Sequence, residues 1–321
     1  MTNPPFYQPP KKERWTGRQS DFKEYWHQWV ELTNLSEQSQ CDFDIALLGY
    51  QCEEGVRKNQ GRLGAKEGPN AIRKMLGKLP AHREDIQLSD CGDLVYSEEI
   101  LLETFQLEFS KIISKLIQQK VFPIALGGGH DMSYAHFLGI HDALYHEGKS
   151  FGIINFDAHF DLRKEDQATS GTPFNQVLKE FGDHTHYAVL GIQQSSNTKA
   201  LFEIAEETKS NYLFLEDCNL SNIQKSFLLI DELSNRVDYI YVTVDMDGFS
   251  SSYSPGVSAP SSFGLTPDYV LQVIRYILKT EKVVALDFAE INPTYDIDNA
   301  TARLAAKLVW EVVQGVQYPL L

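Results

Sequence analysis

Acids and imidazoles gather in four short stretches of this chain. His130 closes Gly127-Gly128-Gly129-His130, and Asp131 follows it. Asp157-Ala158-His159-Phe160-Asp161 alternates polar with apolar residues, and Asp245-Met246-Asp247 repeats the alternation. Glu290 opens Glu290-Ile291-Asn292-Pro293. In extended chain, alternate residues share a face, so Asp157, His159 and Asp161 point one way, as do Asp245 and Asp247. With His130 this makes two imidazoles and four carboxylates, a set too acidic to converge without cations. Carboxylate oxygen with some imidazole suits Mn²⁺ better than metals that favour sulfur. Six protein ligands exceed what one open catalytic metal takes, whereas two metals sharing carboxylates fit the count. Each motif alone is weak: a lone DxHxD could be a solvated turn or a helix cap, a lone DxD is weaker still, and GGGH could be a structural glycine turn. Three such motifs at predicted strand ends, in this order, point instead to a binuclear metal site.

The elements that would position these residues are short apolar runs. Strands are predicted at residues 44–50, 122–126, 151–156, 187–191, 212–215, 239–244 and 283–288, with a weaker candidate at 86–88. Helical patterns separate most of them, at 99–119, 133–145, 222–235, 267–278 and 301–313, and Pro69 suits the first turn of a helix running to about Leu79. Strands apolar on both faces that alternate with helices imply an α/β fold with a parallel sheet covered on both sides. The polar motifs follow the carboxyl ends of four of these strands, where open parallel sheets bind ligands. We expect two parts: residues 1–40, an N-terminal arm and helix packed on the body through Trp15, Trp26 and Trp29, and residues 41–321, one catalytic domain.

Composition removes several function classes. The formal net charge of −15 argues against a general nucleic-acid surface. No run of 18 apolar residues exists, so no membrane span is expected. The start, MTNPPFYQPPKKERW, has no apolar stretch of the signal-peptide kind. Cys41, Cys52, Cys91 and Cys218 show neither a CxxC pair nor metal-ligand spacing, so reduced thiols in a cytoplasmic protein are expected. His27, His82, His136, His141, His146, His184 and His186 lack partner spacing and are read as surface or core histidines.

GGGH, DAHFD, DMDGF and EINP, in this order, resemble the metal and substrate motifs of the arginase/agmatinase (ureohydrolase) family. The likeness spans residues 44 to about 315. It implies a three-layer α/β/α fold with a mostly parallel sheet of about eight strands, and two Mn²⁺ ions per chain bridged by a hydroxide. By position, His130, Asp157, Asp161 and Asp245 would hold the more buried ion, and Asp157, His159, Asp245 and Asp247 the second, with Asp157 and Asp245 bridging. Asp161 would also touch the hydroxide and act in catalysis. Glu290 would grip the planar nitrogen cation of the substrate. A homo-oligomer is expected from the same resemblance.

Within the family, the stretch GYQCEEGVRKNQGRLGAKEGPNAIRKML is similar to the formimidoylglutamases, as are RWTGR, SGTPF, SNTKAL and SPGVSAP. Two positions depart from arginase. Ser170-Gly171-Thr172 stands where arginases carry a histidine proposed as a proton shuttle, and Arg163 stands where arginase has an asparagine that contacts the substrate carboxylate. Arginine offers carboxylate a charged, bidentate grip. Arg163 and Ser170 are therefore expected substrate contacts, and Arg57, Lys58 and Arg62 are expected to add a cationic rim. The implied reaction is hydrolysis of N-formimidoyl-L-glutamate to L-glutamate and formamide, a step of histidine degradation. Two alternatives stay open here: hydrolysis of agmatine or a guanidino acid, and a metal-binding relative without turnover.

Overall fold

The computed structural model describes residues 6–146 and 148–317; the first five residues of the expected arm and the last four of the chain lie outside that range. Ten strands among these residues form one sheet. They are β1 (Tyr7–Gln8), β2 (Glu31–Leu32), β3 (Ile45–Gln51), β4 (Leu88–Val95), β5 (Phe122–Leu126), β6 (Phe151–Phe156), β7 (Thr185–Ile192), β8 (Asn211–Phe214), β9 (Tyr239–Asp245) and β10 (Val283–Ala289). The order is β1-β4-β3-β5-β10-β9-β6-β7-β8, and β2 also pairs with β4. Every pairing is parallel except β1 with β4. The count is ten rather than about eight because two-residue strands of the N-terminal segment extend the edge at β4.

Alternate strand residues feed two cores, one on each face of the sheet. Ile45 and Leu47 of β3 belong to one, Ala46, Leu48 and Tyr50 to the other. The first core is covered by α3 (Gly68–Leu76), α8 (Ile223–Ser234), α9 (Pro267–Leu278) and α10 (Ala300–Gly315). The second is covered by α4 (Leu102–Gln118), α5 (Met132–Leu144), α6 (Pro173–Phe181) and α7 (Lys199–Glu207). Two short helices, α1 (Trp26–Trp29) and α2 (Glu54–Lys58), complete the set. Burying apolar surface on both sheet faces is the main force closing this sandwich. No helix among the described residues is long and apolar enough to cross a membrane.

The strand β4, which pairs with β1, β2 and β3, departs from the apolar rule. Its Asp90 and Asp93 are fully buried. The equally buried Arg73 of α3 donates to Asp93 Oδ1 at 2.6 Å and to Asp90 Oδ1 at 2.9 Å. Trp15 Nε1 donates to Asp90 Oδ2 at 2.7 Å, and Arg14 pairs with Asp93. Buried charge persists only when paired and hydrogen-bonded in this way, so the same contacts hold the N-terminal segment to the body.

The central consequence is the adjacency of β5, β10, β9 and β6. These neighbours carry GGGH, EINP, DMD and DAHFD at their carboxyl ends.

Candidate metal centre and substrate pocket

His130 leaves β5 through a turn that only glycine permits. A Cβ on Gly128 would lie 1.8 Å from the Cys52 carbonyl oxygen, and one on Gly127 2.6 Å from that of Phe288. The backbones meet that closely because Gly128 N donates to Tyr50 O at 2.9 Å and Gly127 N to Phe288 O at 2.7 Å. The turn sets His130 Nδ1 2.9 Å from Asp161 Oδ2, 3.0 Å from Asp245 Oδ2 and 3.4 Å from Asp157 Oδ2. Nearby, His159 Nδ1 lies 3.3 Å from Asp157 Oδ1 and 3.4 Å from Asp247 Oδ1.

Two ligand groups result. Donor atoms of His130, Asp157, Asp161 and Asp245 all lie within 4.8 Å of one another, and so do those of Asp157, His159 and Asp247. Asp157 is shared, as expected of a bridging carboxylate. Asp245 joins the first group, while its Oδ1 accepts the Asp247 N–H at 2.7 Å. The residues fit a pair of hard cations. His130 Nδ1 and Asp247 Oδ1 are buried and, though close to oppositely charged groups, make no well-aligned hydrogen bond among the described residues; buried polar atoms so placed favour a bound ion.

The electrostatics match. Burial opposes charge on His130 and His159, but the facing aspartates outweigh it and hold both pKa values well above the usual histidine value. Burial pushes Asp161 up to about 6, helped by the charge of Asp157. Burial also lifts Asp245 well above the carboxylate range. Asp157 goes the other way: burial would raise it, and the two imidazoles bring it below its ordinary value.

Glu290 closes the site from β10. Its Oε1 accepts the His130 N–H at 3.0 Å, and its Oε2 is buried without a partner among the described residues. Burial, then the charge of Asp247, raises it to about 8. Glu290 (φ 64°) and Asp161 (φ 49°) both sit in the left-handed region, a conformation non-glycine residues adopt at a cost and often at functional sites.

A cavity of about 310 Å³ opens over these groups. His130, His159, Asp161, Asp245, Asp247 and Glu290 face it from below; Arg163 and Ser170 line its wall. Ser170 Oγ accepts from Asn59 Nδ2 at 3.1 Å. The expected cationic rim is corrected. Arg57 pairs with Glu54 through its Nε at 2.7 Å, and neither it nor Lys58 lines the cavity. Arg62 does line it, but its guanidinium donates to the carbonyls of Ser258 at 3.0 Å and Val257 at 2.5 Å and stacks over Tyr295. A guanidinium already spent on two carbonyls is a brace for the loop. Arg163 is thus the arginine of the wall whose side chain has neither a hydrogen bond nor an ion pair among the described residues.

Sequence reasoning did not single out Asn59, Ser196, Leu201 or Ser258, which also line the cavity. All four lie inside stretches it had marked, the loop after β3, SNTKAL and SPGVSAP, so motif position carried the signal and residue type did not. Buried Asn197 acts from behind: it accepts the Phe160 N–H at 3.0 Å and donates to Ala158 O at 2.8 Å, which fixes the DAHFD backbone.

Comparison with known proteins agrees with this geometry. The model of the arginase family matches residues 43–314. The chain is similar to a formimidoylglutamase of Clostridium tetani, 37% identical over 97% of this chain and 96% of the relative. It is similar to another of Macrococcus caseolyticus, 42% identical over 93% and 95%. Among solved structures it is similar to Trypanosoma cruzi formiminoglutamase with two Mn²⁺, at TM-score 0.76 and 26% identity over 87% of this chain and 95% of that one.

Proposed function

This chain belongs to the arginase family, and from that premise we propose that it is a binuclear manganese hydrolase that cleaves N-formimidoyl-L-glutamate to L-glutamate and formamide. The observation that carries the reading is one cavity over two acidic ligand groups, beside a Glu290 oxygen and an Arg163 side chain that have no partner among the described residues. His130, Asp157, Asp161 and Asp245 would hold one ion; Asp157, His159 and Asp247, with Asp245 as second bridge, would hold the other. Two Mn²⁺ ions bound there would acidify water and polarise the amidine.

The remaining chemistry falls to side chains. Glu290 Oε2 holds the planar amidinium by a charge-assisted hydrogen bond. Arg163 takes a substrate carboxylate, and Ser170 supports it. Asp161 carries a proton to the departing glutamate nitrogen as the C–N bond breaks. Water supplies the oxygen of formamide, so atoms balance. Agmatine fits less well, because its far cation would meet Arg163. The substrate assigns the enzyme to histidine degradation. We also propose a cytoplasmic homo-oligomer; the four free cysteines suit a reducing compartment.

Turnover of formimidoylglutamate, agmatine and a guanidino acid, each with Mn²⁺, tests the proposal. Selective release of formamide supports it. Preference for either other substrate moves the chain to another ureohydrolase activity, and no turnover of any substrate by manganese-loaded protein makes it a non-catalytic relative.

A further inference from the structure

Beneath His130 runs a buried chain of hydrogen bonds that the chemistry above does not use. His130 Nε2 lies 3.0 Å from Thr243 Oγ1. Thr243 and Asp287 are direct register partners on β9 and β10, and Thr243 Oγ1 donates to Asp287 Oδ1 at 2.6 Å. Asp287 Oδ2 faces His136 Nδ1 at 2.8 Å and accepts from the Tyr241 hydroxyl. Ser133 Oγ lies 3.2 Å from Thr243 Oγ1. Thr243, Asp287, Ser133, His136 and Tyr241 are all buried to 1% exposure or less.

The directions of these bonds follow from proton supply. A threonine hydroxyl has one proton and two lone pairs. Asp287, gathering donors from Thr243, His136 and Tyr241, takes that proton. Thr243 Oγ1 is left with lone pairs only, so His130 Nε2 must be the donor of its bond. His130 is then held with hydrogen on Nε2 and with Nδ1 turned to Asp157, Asp161 and Asp245. Nδ1, facing three carboxylate oxygens, is then the nitrogen that exchanges its proton for a cation.

We propose that Thr243 and Asp287 are positioning residues that lock the His130 ring and tautomer for the ion of the first ligand group. The carboxylate acts on the imidazole through the threonine hydroxyl instead of touching it. Outer partners of this kind commonly change metal affinity by about ten- to a hundredfold. The inference rests on the metal reading above. It reaches further, because it assigns the lock to residues that touch neither substrate nor ion.

The test is Mn²⁺ titration of metal-free wild type, Thr243→Val, Thr243→Ser and Asp287→Asn, followed by electron paramagnetic resonance and calorimetry. Wild type taking up two ions establishes the site itself; failure there overturns the metal reading and the lock with it, whereas failure in the variants alone overturns only the lock. Given two ions in wild type, Thr243→Val should bind the ion of the His130 group about ten- to a hundredfold more weakly and keep the other. Thr243→Ser, which retains the hydroxyl, should restore affinity. Should Thr243→Val fail to fold, Asp287→Asn carries the test, because its amide changes the donor pattern with little change of volume; it too should weaken that ion. Wild-type affinity for both ions in folded Thr243→Val or Asp287→Asn overturns the proposal. So does equal weakening in Thr243→Ser and Thr243→Val, which would reduce the threonine to packing.

Discussion

At the scale of single residues, the centre works by placing acids where only cations make them tolerable. His130 and His159 stand among Asp157, Asp161, Asp245 and Asp247 at 2.9–3.4 Å. Without ions, both imidazoles hold protons at neutral pH, because the aspartates raise their pKa values well above the ordinary one. Metal binding must expel those protons. Manganese uptake should therefore release protons at pH 7 and weaken as pH falls. Calorimetry in two buffers of different ionisation enthalpy measures this; a binding enthalpy independent of buffer would contradict it. On the proposed reading, Arg163 sets the specificity. Arg163→Ala should raise KM for formimidoylglutamate by about ten- to a hundredfold, the worth of a charged bidentate contact, and leave manganese content unchanged. An uncharged amidine should lose far less. Equal losses on both would make Arg163 a structural residue.

At the scale of elements, four adjacent strand ends deliver the site, and their turns are where it breaks. Gly128→Ala would press a methyl group against the Cys52 carbonyl, 1.8 Å away. Neither backbone can yield without breaking the Gly128–Tyr50 and Gly129–Cys52 hydrogen bonds. We expect a loss of about 3 kcal/mol, the upper end of overpacking costs, measurable by urea denaturation, with weakened manganese binding. Undiminished stability would show that the turn has slack. These strands were legible in the sequence because they are apolar on both faces: residues 122–126 and 151–156 coincide with β5 and β6. The strand β4 was seen only at its start. Its LSDCGDLV reads as polar, and the cations and indole that make those acids tolerable lie far off in sequence, at Arg14, Trp15 and Arg73. The ligand residues were legible through their alternation. Thr243 and Asp287 were not, since each sits inside an apolar run and its partners are known only from the pairing of β9 with β10. The rim failed for a related reason: nothing in the sequence tells that Arg62 is committed to carbonyls on a loop almost two hundred residues away.

At the scale of the whole molecule, a parallel sheet packed on both faces gathers charge from distant segments into one cavity, and bound Mn²⁺ would offset part of the formal charge of −15. The fold, the two ligand groups and Arg163 support one proposal: hydrolysis of formimidoylglutamate requires both ions. The most direct measurement is formamide release from N-formimidoyl-L-glutamate while metal-free protein is titrated with Mn²⁺ and bound metal is counted. Activity should climb to a plateau at two ions per chain, and Asp157→Ala, which removes the shared ligand, should neither hold two ions nor turn over. Full activity in metal-free protein, or none with two ions bound, would contradict the account.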